Sequence, residues 1–168
     1  MKYLAPTLLL FFIFSCVETP ELIFEKDGVS ITSPRGWEIT EQENYDDLGY
    51  YLAIEKDGFF SSSGIMLVMW FENRLDRTEL LSNYVDELSN QWMISDISSS
   101  NITSTNFNKI NTLSLEYNGT VFGLEYEGVS HSFYHKGKTF IIAKQGAIED
   151  RIENEIGFEL IEESFKVN

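Results

Sequence analysis

The chemistry open to this chain is narrow. It has two histidines, His131 and His135, and one cysteine, Cys16. Any imidazole base or thiolate nucleophile must therefore come from these positions. On a helix, residues four apart share a face, as they do in metal sites. On a strand they also share a face, but their Cα atoms stand roughly 13 Å apart at ~3.3 Å per residue. Gly128, Gly137 and the aromatic neighbours favour the strand, and metal–nitrogen bonds of about 2 Å cannot close that gap. Glu125 and Glu127, on the strand before, are placed to pair with a histidine each across a hairpin. One expectation is thus a small-molecule or metal-ion carrier using the His131/His135 face with Glu125 or Glu127. The plainer one is a solvated strand face.

Other catalytic constellations do not form. Ser61-Ser62-Ser63-Gly64 lacks the glycine-flanked form of a nucleophile elbow. No glycine-rich phosphate loop occurs, and no acidic run has the calcium-loop pattern. The carboxylates of residues 149–163 decorate a predicted helix, where a charge run is ordinarily a solvated face. The chain is read as a non-enzyme, with no catalytic residue and no cofactor.

Cys16 has a different prospect. Lys2, an apolar run over residues 4–14 and then Ser15 make a charged n-region, a short h-region and a small residue before a processing point. Such a run reaches roughly half of the ~30 Å hydrocarbon core at about 1.5 Å per helical residue, a poor transmembrane span. Ile13-Phe14-Ser15-Cys16 resembles the lipobox of bacterial lipoproteins. That resemblance implies a signal peptide over residues 1–15, lipid attachment (palmitate or a similar acyl chain) at Cys16, a tether over 16–21 and a single domain over 22–168. It places the domain in the bacterial cell envelope, lipid-anchored to a membrane on the exported side. Acyl chains contribute roughly 0.8 kcal/mol per buried CH₂, enough to hold a domain without a further apolar patch.

Composition narrows the partners. A formal net charge of −15 argues against nucleic acid, whose phosphates demand a basic face, and against electrostatic adhesion to anionic headgroups. The length suits one domain able to fold without disulfides or metal.

The elements that must position these groups follow from periodicity. Gly28-Val-Ser-Ile-Thr-Ser-Pro34 alternates and stops at proline, a strand and turn. Residues 37–40 are a short extended piece, 41–47 an acidic loop, and 50–56 a strand closed by Asp57-Gly58. Residues 65–71 are apolar throughout, so both faces of that strand should be covered. Asp76 and Glu79 open a helix whose stripe is Leu80, Leu81, Tyr84, Val85, Leu88 and Trp92. Residues 95–108, rich in Ser, Thr and Asn, have few apolar anchors apart from Ile97, Ile102 and Phe107. A meander follows, with turns expected at Asn118-Gly119, Gly128 and Lys136-Gly137. A closing helix over residues 150–165 puts Ile152, Ile156, Leu160, Ile161 and Phe165 on one side, weakened at Gly157.

Three pieces of this order resemble the PsbP-like fold, the superfamily of PsbP and DcrB-like proteins. They are the opening residues 28–37, ending Ser-Pro-Arg-Gly-Trp37; the late hairpin of residues 134–142; and the closing Ile161-Glu-Glu-Ser-Phe165. The resemblance implies an α+β fold, an antiparallel β-sheet sandwiched between helices. It also implies an accessory or binding module rather than an enzyme, and it carries over no functional residue. The leading expectation is therefore a membrane-tethered, non-enzymatic binding or assembly module of the cell envelope. It would meet an envelope protein partner through an exposed sheet face and the acidic loop, with Tyr45, Asp46, Asp47 and Tyr50 at its rim.

Overall fold

Alternating burial along short β-rich segments builds two sheets among the described residues. A computed structural model describes residues 21–56 and 63–168. β1 (Leu22–Lys26) and β2 (Val29–Ser33) form a hairpin, joined by β11 (Lys166–Val167) into a three-stranded sheet. The remaining strands are β3 (Trp37–Asn44), β4 (Gly49–Lys56), β5 (Gly64–Phe71), β6 (Ile94–Ser99), β7 (Thr103–Phe107), β8 (Ile110–Val121), β9 (Leu124–His135) and β10 (Lys138–Ala147). They make an eight-stranded antiparallel sheet in the order β3-β4-β5-β10-β9-β8-β6, with β7 also paired to β8.

Two helices sandwich this sheet. α1 (Arg77–Ser89) starts where the Asp76 carboxylate accepts the backbone N–H groups of Thr78 (2.8 Å) and Glu79 (3.0 Å). Leu81, Val85 and Leu88 then bury against Leu115, Tyr117 and Ile141, each contributing about 1.5–3 kcal/mol relative to exposure. α2 (Arg151–Ser164) lies with the small sheet on the opposite face, over Met66, Val68, Trp70 and Ile142. Both faces of β5 are therefore covered, as its continuous apolar run requires.

Several local expectations are corrected. Residues 41–44 are strand rather than loop, because they pair with residues 50–53 of β4 along the sheet edge. Residues 95–108 carry β6 and β7, largely exposed strands held by ladder bonds to β8. They are anchored by Phe107, fully buried in the core, and by Ile97 and Ile102, packed against the α1-side cluster. Asn118-Gly119 does not turn. β8 runs through it, and the reversal comes at Phe122-Gly123, between partners Val121 and Leu124. Gly128 does not turn either. It lies inside β9 beneath the Tyr117 ring, which a β-carbon would overlap, 2.6 Å from the hydroxyl oxygen. Lys136-Gly137 does turn as expected, with φ of 47° and 87°, the paired left-handed conformation of a two-residue hairpin.

α2 is unbroken, and of its expected inward stripe Ile161 and Phe165 are buried while the rest is not. Asn154, Gly157, Phe158 and Ile161 are buried, whereas Ile152, Ile156 and Leu160 are exposed. The inward face is set by fit. Asn154 Nδ2 donates to the Ser63 carbonyl at 2.7 Å, and Gly157 leaves room for the Trp37 indole. Trp92 likewise lies past the end of α1 and is 84% exposed.

Candidate functional site

Across one face of β8, β9 and β10 the apolar core gives way to polar side chains, and α2 stands above them. Between them runs an open groove of about 1140 Å³, larger than the roughly 300–1,000 Å³ of an ordinary small-molecule site. Among the described residues eight carboxylates line it, including Glu116 on β8, Glu125 on β9, and Glu155 and Glu159 on α2. Against these stand two lining cations, each already paired. Lys144 Nζ meets Glu162 Oε2 at 3.0 Å, and the Arg151 guanidinium forks both Glu127 oxygens. The remaining field is negative, so the groove suits a cationic ligand or a basic segment of another chain.

The sequence-predicted residues are dispersed. His131 is buried on β9, paired with Ser114 and Ile142. Its Nδ1 lies 3.2 Å from Thr112 Oγ1, and its ring centroid is 5.4 Å from that of Phe107. Burial first, and the Lys144 ammonium second, lower its pKa to about 4, against a raising effect of Glu162. A neutral, enclosed imidazole of this kind packs and accepts or donates one hydrogen bond. His135 sits at the end of β9 opposite Lys138, with a buried Nε2 that makes no hydrogen bond. Neither histidine meets the glutamates. Glu127 is held by Arg151, and Glu125 lies exposed opposite Thr120 near the hairpin tip. Both glutamates share the long β9 with the histidines instead of facing them from another strand. Among the described residues, no three His, Cys, Asp or Glu side chains converge as metal ligands.

The acidic rim is brought together only in part. Asp46 and Asp47 open a 3₁₀ turn, Asp46–Leu48, and border a shallow depression with Lys26, Glu72 and Lys138. Tyr45 is exposed, and its hydroxyl donates to Glu43 Oε2 at 2.6 Å, a bond that leads the rise in its pKa. Tyr50, expected at the surface, is buried. It stacks on Trp70 at 4.7 Å between centroids, and its hydroxyl donates to Gln42 Oε1 at 2.8 Å. The outward turn of Tyr45 and the inward face of Tyr50 follow from their places, one before the 3₁₀ turn and one on β4. Cys16 lies outside the described residues.

Sequence reasoning missed the groove. Glu155, Glu159 and Glu162 recur at helical spacing, a visible signal. What lies across from them depends on the β8–β9–β10 register, which puts Asn118, Glu127 and Gly146 side by side.

No family model and no curated protein sequence matches the chain. Solved structures do. Cyanobacterial PsbP (CyanoP) from Synechocystis superposes with a TM-score of 0.61 at 12% identity, over 88% of this chain and 92% of that one. LpqN of Mycobacterium tuberculosis, a protein involved in cell envelope biogenesis, gives 0.55 at 11% identity, over 88% and 90%. A Bacteroides thetaiotaomicron structure gives 0.52 at 8% identity, over 84% of this chain and 45% of that one. Identities this low speak to backbone architecture, not to shared chemistry. The chain has the PsbP-like fold, an α+β architecture of one large antiparallel sheet with two helices.

Proposed function

We propose that this protein is a membrane-tethered, non-enzymatic binding or assembly module of the bacterial cell envelope, and that the groove beneath α2 is its ligand-facing surface. The observation that carries the reading is the groove itself: about 1140 Å³, open, and lined by carboxylates in excess of paired cations. A concave, charged surface of that size fits a basic partner segment, and electrostatic complementarity would set its orientation. The lipobox-like Cys16 supplies the tether in this reading. The shared fold of LpqN, a protein of cell envelope biogenesis, is consistent with a place in the envelope.

The test is a photo-crosslinker at Glu155 in the full-length protein in intact envelopes, with a second crosslinker at Glu79 on α1 as control. A discrete adduct at Glu155, lost when Glu116 and Glu159 are changed to lysine, is the expected outcome. Equal, diffuse labelling at both positions would exclude the groove as the binding surface. Membrane fractionation and intact mass of wild type against Cys16→Ser check the tether separately. Wild type should be acylated and sediment with membranes, and the variant should not.

A further inference from the structure

Two large aromatic rings at one end of the molecule pack on each other instead of on the core. Trp92 is 84% exposed and Phe122 67% exposed, and their centroids lie 5.5 Å apart in an edge-to-face arrangement. Leu124 is exposed beside them, at the start of β9 opposite Val121. Phe122 occupies the first position of the β8–β9 turn with φ of 50°, a left-handed site where asparagine, aspartate or glycine is ordinarily favoured. Turn chemistry therefore does not explain an aromatic side chain there. The tip is also held in place, since the Phe122 N–H donates to the Met93 carbonyl at 3.2 Å.

The same end is where the described chain enters. Leu22 pairs with Ser33, just before the turn in which Trp37 N–H donates to the Pro34 carbonyl at 3.1 Å. Trp37 opposes Lys56, and the neighbouring Glu55 opposes Ile65. Gly64 opposes Gly146, Gly146 opposes Glu127, and Tyr126 opposes Gly119, two residues before Val121 and the tip. The register thus carries one end of the sandwich from Leu22 across to Phe122. Cys16 precedes Leu22 by six residues, a span of at most about 20 Å when fully extended.

We propose that this end, through Trp92, Phe122 and Leu124, rests in the interface of the membrane to which Cys16 is anchored; the inference relies on the tethered reading above. Tryptophan concentrates at the membrane–water boundary because it joins an apolar body to a polar N–H, and phenylalanine and leucine beside it supply the apolar surface that sinks below the headgroups. Net charge of −15 and Glu125 beside the tip select uncharged, zwitterionic headgroups over anionic ones. The groove, opening between the sheet and α2, is then held at a set height above the bilayer.

Trp92 is its own reporter, because Trp37 and Trp70 are buried at 3% and 1% exposure. The acylated full-length protein is reconstituted into phosphatidylcholine vesicles brominated in the upper acyl chain, and its fluorescence is compared with that of Trp92→Phe. The expected result is a blue-shifted Trp92 signal, quenched at least two-fold by the bromines. Phe122→Asn with Leu124→Ser should relieve the quenching while the protein stays on the vesicles. Sedimentation of the same samples separates the two readings. Vesicle-bound protein with unquenched Trp92 overturns the orientation alone, and acylated protein that does not sediment overturns the tether and the orientation together.

Discussion

Gly157 of α2 lies directly under the indole of Trp37, and a β-carbon at 157 would overlap its Nε1 and Cε2 atoms. The same indole meets Phe158 edge-on, with centroids 5.1 Å apart. A residue that weakens the helix by about 1 kcal/mol relative to alanine is therefore what lets α2 dock. Gly157→Ala should destabilise the protein despite its better helix propensity, by about 1–3 kcal/mol of overpacking. Urea unfolding checks it: the midpoint should fall with an unchanged slope, and a raised midpoint would refute the contact.

Gly128 and Tyr117 form a second such pair across β8 and β9. The Tyr117 hydroxyl donates to Gln145 Oε1 at 3.0 Å, so the ring is anchored at its far end. Gly128→Ala should be strongly destabilising in the wild type and much less so beside Tyr117→Ala. The coupling in a double-mutant cycle is expected at about 1 kcal/mol or more; additive losses would mean that the ring moves aside freely.

His131 makes stability depend on pH. Burial holds its folded-state pKa at about 4, below the ordinary value near 6.5. Its neutral form is favoured in the fold, while the unfolded chain binds a proton below about pH 6.5. Above that pH the group has no effect. Stability then falls as pH drops from 6.5 towards 4, by about 3 kcal/mol in all, and the loss levels off below. Unfolding of wild type and His131→Gln across pH 4–7 isolates this effect from the carboxylates common to both. Parallel curves would be inconsistent with a buried neutral imidazole.

Asp76 caps α1 with two backbone hydrogen bonds. Asp76→Ala should cost about 1 kcal/mol, and Asp76→Asn much less, because an amide oxygen can accept the same N–H groups. Thermal melts of the three proteins give the ranking. Equal losses for both variants would point to charge rather than hydrogen bonding.

Much of the architecture was legible where independent local signals agree. At α1 the cap and the stripe of Leu81, Val85 and Leu88 coincide, and the helix falls where both point. Lys136-Gly137 combines turn chemistry with flanking β-rich segments, and the hairpin closes there. The unbroken apolar run of β5 foretold a sheet covered on both faces. The dispersed histidines and glutamates show the opposite case: residue type and spacing name the chemistry a side chain could do, but not what stands beside it.

The amino-acid sequence by itself determined the acidic surface, the helix and strand periods, and those turns at which only a left-handed backbone and a short loop agree. Tertiary structure alone decided which stripe of α2 turns inward and whether Asn118-Gly119 bends. It also decided which charges share a groove. α2 has apolar residues on two faces, so helical spacing alone has no means of choosing between them; the Trp37 indole and the Ser63 carbonyl do. Asn118-Gly119 is held extended because β6 and β9 pair with β8 from both sides, through Ser98 and Glu127 opposite Asn118. Local preferences amount to fractions of a kcal/mol per residue. Ladder bonds and packing sum over whole strands, and where the two disagree the larger sum prevails.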